Sequence, residues 1–174
     1  RSKTARAQQL RAEGEQLQNQ KRYQEAMDRY RQSLSLVPDK ALADHVTRMG
    51  RELARKDEQK ARADRLWSEG TASLKASRPE EALSRFKESV RTWPDQTRSA
   101  YVADLERRKA AAQRLRNEGA ALQRQNRPAE AISRYRESLG YWPDTALDSH
   151  IARLEAAAKK AAVRAPVTPV TQAP

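Results

Sequence analysis

The sequence predicts an all-α protein built from a repeated helical unit, and three observations carry this prediction. One segment occurs three times without gaps, as residues 10–39, 66–95 and 115–144, which we call copies 1, 2 and 3. Its apolar residues recur at the spacing of an amphipathic helix, and no run alternates with the two-residue period of a strand. Hydrophobic residues make up only 37% of the 174 residues, so we expect a thin helical array rather than one large core.

Each copy predicts two packed helices. Leu10 and Leu17 share one face of a first helix, and Met27 and Tyr30 share one face of a second. Small residues, such as Gly14 in copy 1, are expected to let the two backbones approach closely where the helices cross. Glycine recurs at this position in all three copies, as Gly14, Gly70 and Gly119.

Proline marks both ends of the second helix. This helix should begin at Pro79 in copy 2 and Pro128 in copy 3, since the first helical position tolerates proline. It should end before a Pro-Asp step, which occurs as residues 38–39, 94–95 and 143–144. The aspartate of that step is suited to cap a third helix.

The third helix carries its own apolar stripe, and no break signal separates it from the first helix of the next copy. In copy 1 the stripe includes Leu42, Val46 and Met49. We therefore expect one continuous helix of about 37 residues between residues 39 and 77. We expect a second continuous helix of about 30 residues, from Gln96 to Asn126.

The pattern of small, aromatic and proline residues resembles the tetratricopeptide repeat (TPR). Gly14, Ala26, Tyr30, Ser33 and Pro38 fall at the offsets typical of that family, as do their counterparts in the other copies. TPR units recur every ~34 residues, whereas these copies begin at residues 10, 66 and 115, which are 56 and 49 residues apart. The resemblance therefore implies a TPR-like solenoid of three expanded helix-turn-helix units joined by long helices.

We divide the chain into a helical repeat region, residues 1–162, and a Pro/Thr-rich linker, residues 163–174. The repeat units are predicted at about 4–55, 60–108 and 110–160, arranged as an elongated array. The first residue is Arg, so we expect that the sequence starts inside a longer chain or after processing, and its composition is typical of a bacterial source. No apolar run approaches the ~20 residues of a membrane span, so we expect a soluble chain of open localisation.

Recognisable catalytic motifs are missing from the sequence. It contains no Gly-rich phosphate loop, no nucleophile elbow and no His-Glu-x-x-His, and it has no cysteine. Its histidines and two of its tryptophans stand at repeated positions, which are His45/Tyr101/His150 and Val37/Trp93/Trp142. We interpret both as packing positions, the second of which needs an apolar residue rather than an indole. We therefore expect neither enzyme activity nor a cofactor.

In TPR proteins the first helix of each unit lines the ligand groove, and the resemblance transfers this role to the first helix of each copy. Trp67 and Leu74 stand out there, because copies 1 and 3 place Arg or Gln at the same positions. They share one helix face, where they either anchor a partner helix or peptide or pack on the neighbouring third helix. The predicted partner-binding residues are Trp67, Leu74, Thr71, Arg11, Arg116 and Asn117.

The formal net charge of +12 has two interpretations. Repeated arginines pair with acids, and the predicted i,i+4 pairs are Glu25–Arg29, Glu81–Arg85 and Glu130–Arg134. Surplus basic residues could instead attract an acidic protein segment, nucleic acid or an anionic surface. Acids are interspersed and no aromatic platform for bases is visible, so we expect a non-catalytic scaffold or spacer that binds an acidic protein or peptide. A basic array that binds nucleic acid or an anionic surface is the alternative, and self-association is a third option.

Overall fold

The chain is all-α, as predicted, in a computed structural model that describes residues 2–164. The described residues form seven helices and no strand. The helices are α1 (Lys3–Asn19), α2 (Tyr23–Leu36), α3 (Lys40–Lys75), α4 (Pro79–Thr92), α5 (Gln96–Arg124), α6 (Pro128–Tyr141) and α7 (Thr145–Arg164). Each copy thus contributes a helical hairpin followed by a third helix.

The predicted long helices are present. The helix α3 has 36 residues and runs without interruption through Gly50 and Gly70, and α5 has 29 residues. The third helix of one copy is therefore also the first helix of the next. The helix α7 extends to Arg164, so the first two residues of the predicted linker are helical. The remainder of that linker, residues 165–174, lies outside the described residues.

Each hairpin turns through one residue in the left-handed conformation. These residues are Lys21 (φ 62°), Ser77 (φ 58°) and Asn126 (φ 59°). In copy 1 the Lys21 amide donates to the Gln18 carbonyl and the Arg22 amide to the Leu17 carbonyl, both at 2.9 Å. This bond pattern ends the first helix and satisfies carbonyl groups that would otherwise lack a partner. The turn is therefore built without glycine.

An aromatic ring from the second helix covers the repeated glycine of the first. A Cβ atom on Gly14 would lie 2.5 Å from Tyr30 Cε1, and the matching distances are 2.7 Å for Gly70–Phe86 and 2.6 Å for Gly119–Tyr135. The glycine is thus needed to admit a ring rather than a second backbone. A buried serine adds a second connection in every copy, since Ser33, Ser89 and Ser138 donate to backbone carbonyls of the first helix at 2.7–2.9 Å.

The repeated arginines pair with acids, but the predicted i,i+4 partners are wrong. Arg29 lies 3.4 Å from Glu13 of the first helix, and Glu25 is held by Arg22 at the start of α2. The cross-helix pairs are Arg29–Glu13, Arg85–Glu69 and Arg134–Glu118. The pairs at the helix start are Arg22–Glu25, Arg78–Glu81 and Arg127–Glu130. The arginines thus pair with a carboxylate three residues on or with one on the neighbouring helix, and Arg134 does both, with Glu137 at 2.9 Å and Glu118 at 3.5 Å.

The described residues divide into two compact units, one that ends at residue 62 and one that begins at residue 63. The first contains copy 1, with a core that includes Met27 and Tyr30. The second contains copies 2 and 3 together. Trp142 of copy 3 lies in the same buried cluster as Leu83 and Phe86 of copy 2, which joins the two copies. The boundary between the units falls inside α3, in the longer of the two spacers.

Candidate partner-binding site

Copies 1 and 3 carry the same polar set between the first, second and third helices. In copy 1 the Gln18 Oε1 atom accepts from the Tyr30 hydroxyl at 3.0 Å and lies 3.0 Å from His45 Nε2. Burial raises the pKa of the Tyr30 hydroxyl above its ordinary value. The equivalent set in copy 3 is Gln123, Tyr135 and His150, with distances of 3.1 and 3.0 Å. Tyrosine and histidine rings also meet edge to face in both copies.

Copy 2 replaces all three members of this set at once. Leu74, Phe86 and Tyr101 occupy the positions of glutamine, tyrosine and histidine. A single replacement would leave a partly buried polar group without its partner, at a cost of about 1–3 kcal/mol. The joint replacement avoids that cost and converts the polar set into an apolar one.

Trp67 lies at the centre of the apolar set in copy 2. Its ring centroid is 4.4 Å from that of Phe86 on α4 and 5.6 Å from that of Tyr101 on α5. The guanidinium carbon of Arg98 lies over the Trp67 ring, 5.1 Å from its centroid, a favourable cation–π distance. Arg98 also binds Asp64 at 2.6 Å, which holds it beside the indole.

Copies 1 and 3 use an ion pair where copy 2 uses the Trp67–Arg98 contact. Arg11 lies 3.0 Å from Asp39, and Arg116 lies 2.8 Å from Asp144. Both aspartates also cap a third helix, because Asp39 accepts from the Leu42 amide at 3.0 Å and Asp144 from the Leu147 amide at 3.0 Å. These capping roles were predicted. The Leu42 amide is also the main reason why the pKa of Asp39 is lowered.

The predicted residues differ in how available they are to a partner. Trp67 and Leu74 are half-buried and pack against the core of copy 2. Of the two alternatives that the sequence left open for these residues, packing within the chain is therefore present. Thr71 is exposed between them, and its hydroxyl donates to the Trp67 carbonyl at 3.0 Å. Arg11 and Arg116 are engaged by aspartates. Asn117 is exposed and accepts from Gln113 at 3.1 Å.

Two further residues beside Trp67, Arg98 and Tyr101, were not predicted as partner-binding residues. Tyr101 retains 40% of its accessible surface, and Arg98 places its guanidinium over the Trp67 ring. The repeat alignment could have identified Arg98, because copies 1 and 3 have an apolar residue, Leu42 or Leu147, at the same position. We call the surface formed by Trp67, Thr71, Leu74, Arg98 and Tyr101 the aromatic face. Its residues belong to α3 and α5, within the unit that begins at residue 63.

Comparison of the chain with protein-family models, curated proteins and solved structures gives no match. Among the described helices, none combines the length and the apolar composition required to cross a membrane.

Proposed function

We propose that this chain is a non-catalytic interaction scaffold of the TPR type, and that the aromatic face is its main contact for a partner segment. The observation that carries the proposal is the joint replacement in copy 2. Copies 1 and 3 close the same position with hydrogen-bonded polar groups, whereas copy 2 presents Trp67, Arg98 and a Tyr101 that is 40% exposed.

The chemistry of the aromatic face suits protein recognition. Tryptophan, tyrosine and arginine dominate the residues that contribute most to binding at protein interfaces. Trp67 and Arg98 are already held by Phe86 and Asp64, so little side-chain freedom is lost when a partner binds. The net charge of +12 favours an acidic partner by long-range attraction.

The other predicted residues have a secondary place in this proposal. Arg11 and Arg116 would each have to exchange an aspartate for a partner carboxylate, a replacement that gains little. Asn117 is open to a partner but neighbours Arg116 rather than the aromatic face. We therefore assign Trp67, Leu74 and Thr71 to the principal contact, together with Arg98 and Tyr101.

The test compares Tyr101→Ala with Tyr141→Ala. Tyr141 is 43% exposed at the end of α6 and outside the aromatic face, so it is a matched control. The wild-type chain is used to capture partners from nuclease-treated lysate, and the affinity for the captured protein is then measured for each variant. We expect Tyr101→Ala to lose at least about 2 kcal/mol, or roughly 30-fold in affinity, if it is a central contact.

Equal affinities for the two variants would refute the role of the aromatic face. Binding of nucleic acid or an anionic surface predicts a strong salt dependence of the affinity, because phosphate contacts weaken steeply with salt. Capture that is lost with nuclease or moderate salt, and that is unchanged in Tyr101→Ala, would instead support binding of nucleic acid or an anionic surface. Circular dichroism of each variant checks that the helices persist.

A further inference from the structure

Trp142 shows how this repeat accommodates an indole. It is 3% exposed, and its Nε1 donates to Glu80 Oε1 at 3.0 Å, near the start of α4. Lys109 of α5 lies 6.0 Å from the centre of its ring and also pairs with Glu80. The expectation that this position needs only an apolar residue is therefore wrong for Trp142, because the indole N–H has a dedicated acceptor. The indole lies between the start of the second helix and the third helix of copy 2.

The equivalent place in copy 1 is an open groove. The repeat alignment gives the copy 1 residues that correspond to those around Trp142. The corresponding pairs, copy 2 first, are Glu80/Gln24, Leu105/Met49, Lys109/Leu53 and Pro79/Tyr23. Tyr23, Met49 and Leu53 line a groove of about 370 Å³ between α2 and α3, together with His45 and charged residues of α3. All of these residues belong to the unit that ends at residue 62.

The chemistry of this groove suits an aromatic group with one hydrogen-bond donor. Copy 1 has Leu53 where copy 2 has Lys109, and Tyr23 where copy 2 has Pro79. At these two positions the groove is therefore more apolar and more aromatic than the surroundings of Trp142. Met49 adds a thioether, which makes favourable contacts with aromatic rings. Gln24, which aligns with Glu80, lines a second pocket that shares Tyr23 and Leu53 with the groove.

The charge at the rim indicates what should flank the aromatic group. Arg48 and Lys56 line the groove on the α3 side, with Glu52 between them. An acidic residue close to the inserted ring would meet these two cations. Trp142 is itself followed by Pro143 and Asp144, so one short sequence in this chain combines both features.

We propose that the groove lined by Tyr23, Met49 and Leu53 is a docking site for a partner peptide that inserts a tryptophan followed by an acidic residue, as in Trp-Pro-Asp. The site is separate from the aromatic face, and neither proposal depends on the other.

The chain contains only two methionines, Met27 and Met49, and this makes the test specific. Met49 lines the groove, and Met27 lies in the same core cluster. Full-length chain with ¹³C-methyl methionine is titrated with a free peptide of sequence LGYWPDTAL and followed by NMR. A matched peptide, LGYAPDTAL, lacks only the indole.

We expect the Met49 methyl resonance to shift with the tryptophan peptide and to stay unchanged with the alanine peptide. Tyr23→Pro removes the aromatic wall but installs the residue that copies 2 and 3 have at this helix start, so the fold should be retained. It should weaken peptide binding at least about tenfold, whereas Tyr141→Ala, in the other unit and outside the aromatic face, should leave it unchanged.

Absence of a Met49 shift at millimolar peptide, or equal shifts with both peptides, would overturn the proposal. A Met49 shift that follows protein concentration without peptide, together with a dimer in sedimentation, would also overturn it, because the occupant would then be a second copy of the chain. Retained binding in Tyr23→Pro would exclude the groove as the docking site.

Discussion

A glycine under an aromatic ring defines each hairpin at the scale of single residues. The ring of Tyr135 is held on two sides, by Gly119 below it and by the hydrogen bond from its hydroxyl to Gln123. It therefore has little freedom to move aside. Gly140, in the same unit, has no heavy atom within 4 Å of an added Cβ, so no neighbouring group requires glycine at this position.

Gly119→Ala and Gly140→Ala should therefore change stability in opposite directions. A Cβ at residue 119 would lie 2.6 Å from Tyr135 Cε1, and overpacking of this kind costs about 1–3 kcal/mol. The same change at residue 140 should stabilise α6 by up to about 1 kcal/mol, because alanine favours the helix. Urea unfolding of both variants, monitored by circular dichroism, measures the difference. Stabilisation by Gly119→Ala would show that the ring can move.

At the scale of elements, one aspartate begins each third helix, but its tasks differ between copies. Asp95 accepts from the Arg98 amide at 2.7 Å, and the first helix of copy 2 offers Trp67 where the others offer arginine. Asp144 caps α7 and also lies 2.8 Å from Arg116, with both side chains about one-quarter exposed. The same residue is therefore a cap alone in copy 2 and a cap with an ion pair in copy 3.

Substitution of the capping aspartates should separate these tasks. Asp95→Ala should cost about 1 kcal/mol, the usual value of an N-cap. Asp144→Ala should cost more than Asp95→Ala, because the charge of Arg116 also loses its partner. Asp144→Asn keeps a good capping residue, so its cost should fall to that of the ion pair, within about 1 kcal/mol. Equal unfolding midpoints for Asp144→Ala and Asp144→Asn would contradict this division.

At the scale of the whole molecule, ionisable groups should limit the pH range of stability at both ends. The pKa of Glu25 is lowered by the Arg22 side chain, and the pKa of Asp39 is lowered by the Leu42 amide. Because these carboxylates are held in their charged form, their contribution is present above the ordinary carboxyl pKa and is lost as the pH falls through the lowered folded-state values. Burial raises the pKa of Tyr30 and Tyr135, so the folded state favours their neutral form. That contribution is present below pH 10.0 and is lost as the pH rises through the raised values.

Thermal unfolding between pH 3 and pH 11 tests both limits. The melting temperature should be highest near neutrality and fall at each end. Copy 2 supplies the control for the alkaline limit, since Phe86 occupies the tyrosine position without a hydroxyl. The double variant Tyr30→Phe and Tyr135→Phe should lose less stability than the wild type above pH 10. Identical alkaline profiles would mean that these hydroxyls do not titrate differently on unfolding.

The sequence by itself determined the helices, because the signals that start and end them are local. Pro79 and Pro128 begin their helices, and three aspartates cap the third helices, as predicted. The absence of a break signal likewise predicted α3 and α5 to within about two residues at each end. These features depend on residues within a few positions of one another, whose geometry a helix already specifies.

Only the tertiary structure decided which side chains meet across helices. Trp142 reaches Glu80, 62 residues earlier in the chain, and Arg98 lies over Trp67. Arg29 pairs with Glu13, which lies on a different helix. Such partners depend on how helices pack, and a repeat pattern specifies the face of a helix but not the distance between two side chains on different helices. For this reason the sequence identified Trp67, Thr71 and Leu74 but not the contributions of Arg98 and Tyr101 from the third helix, and it did not predict the division at residue 62.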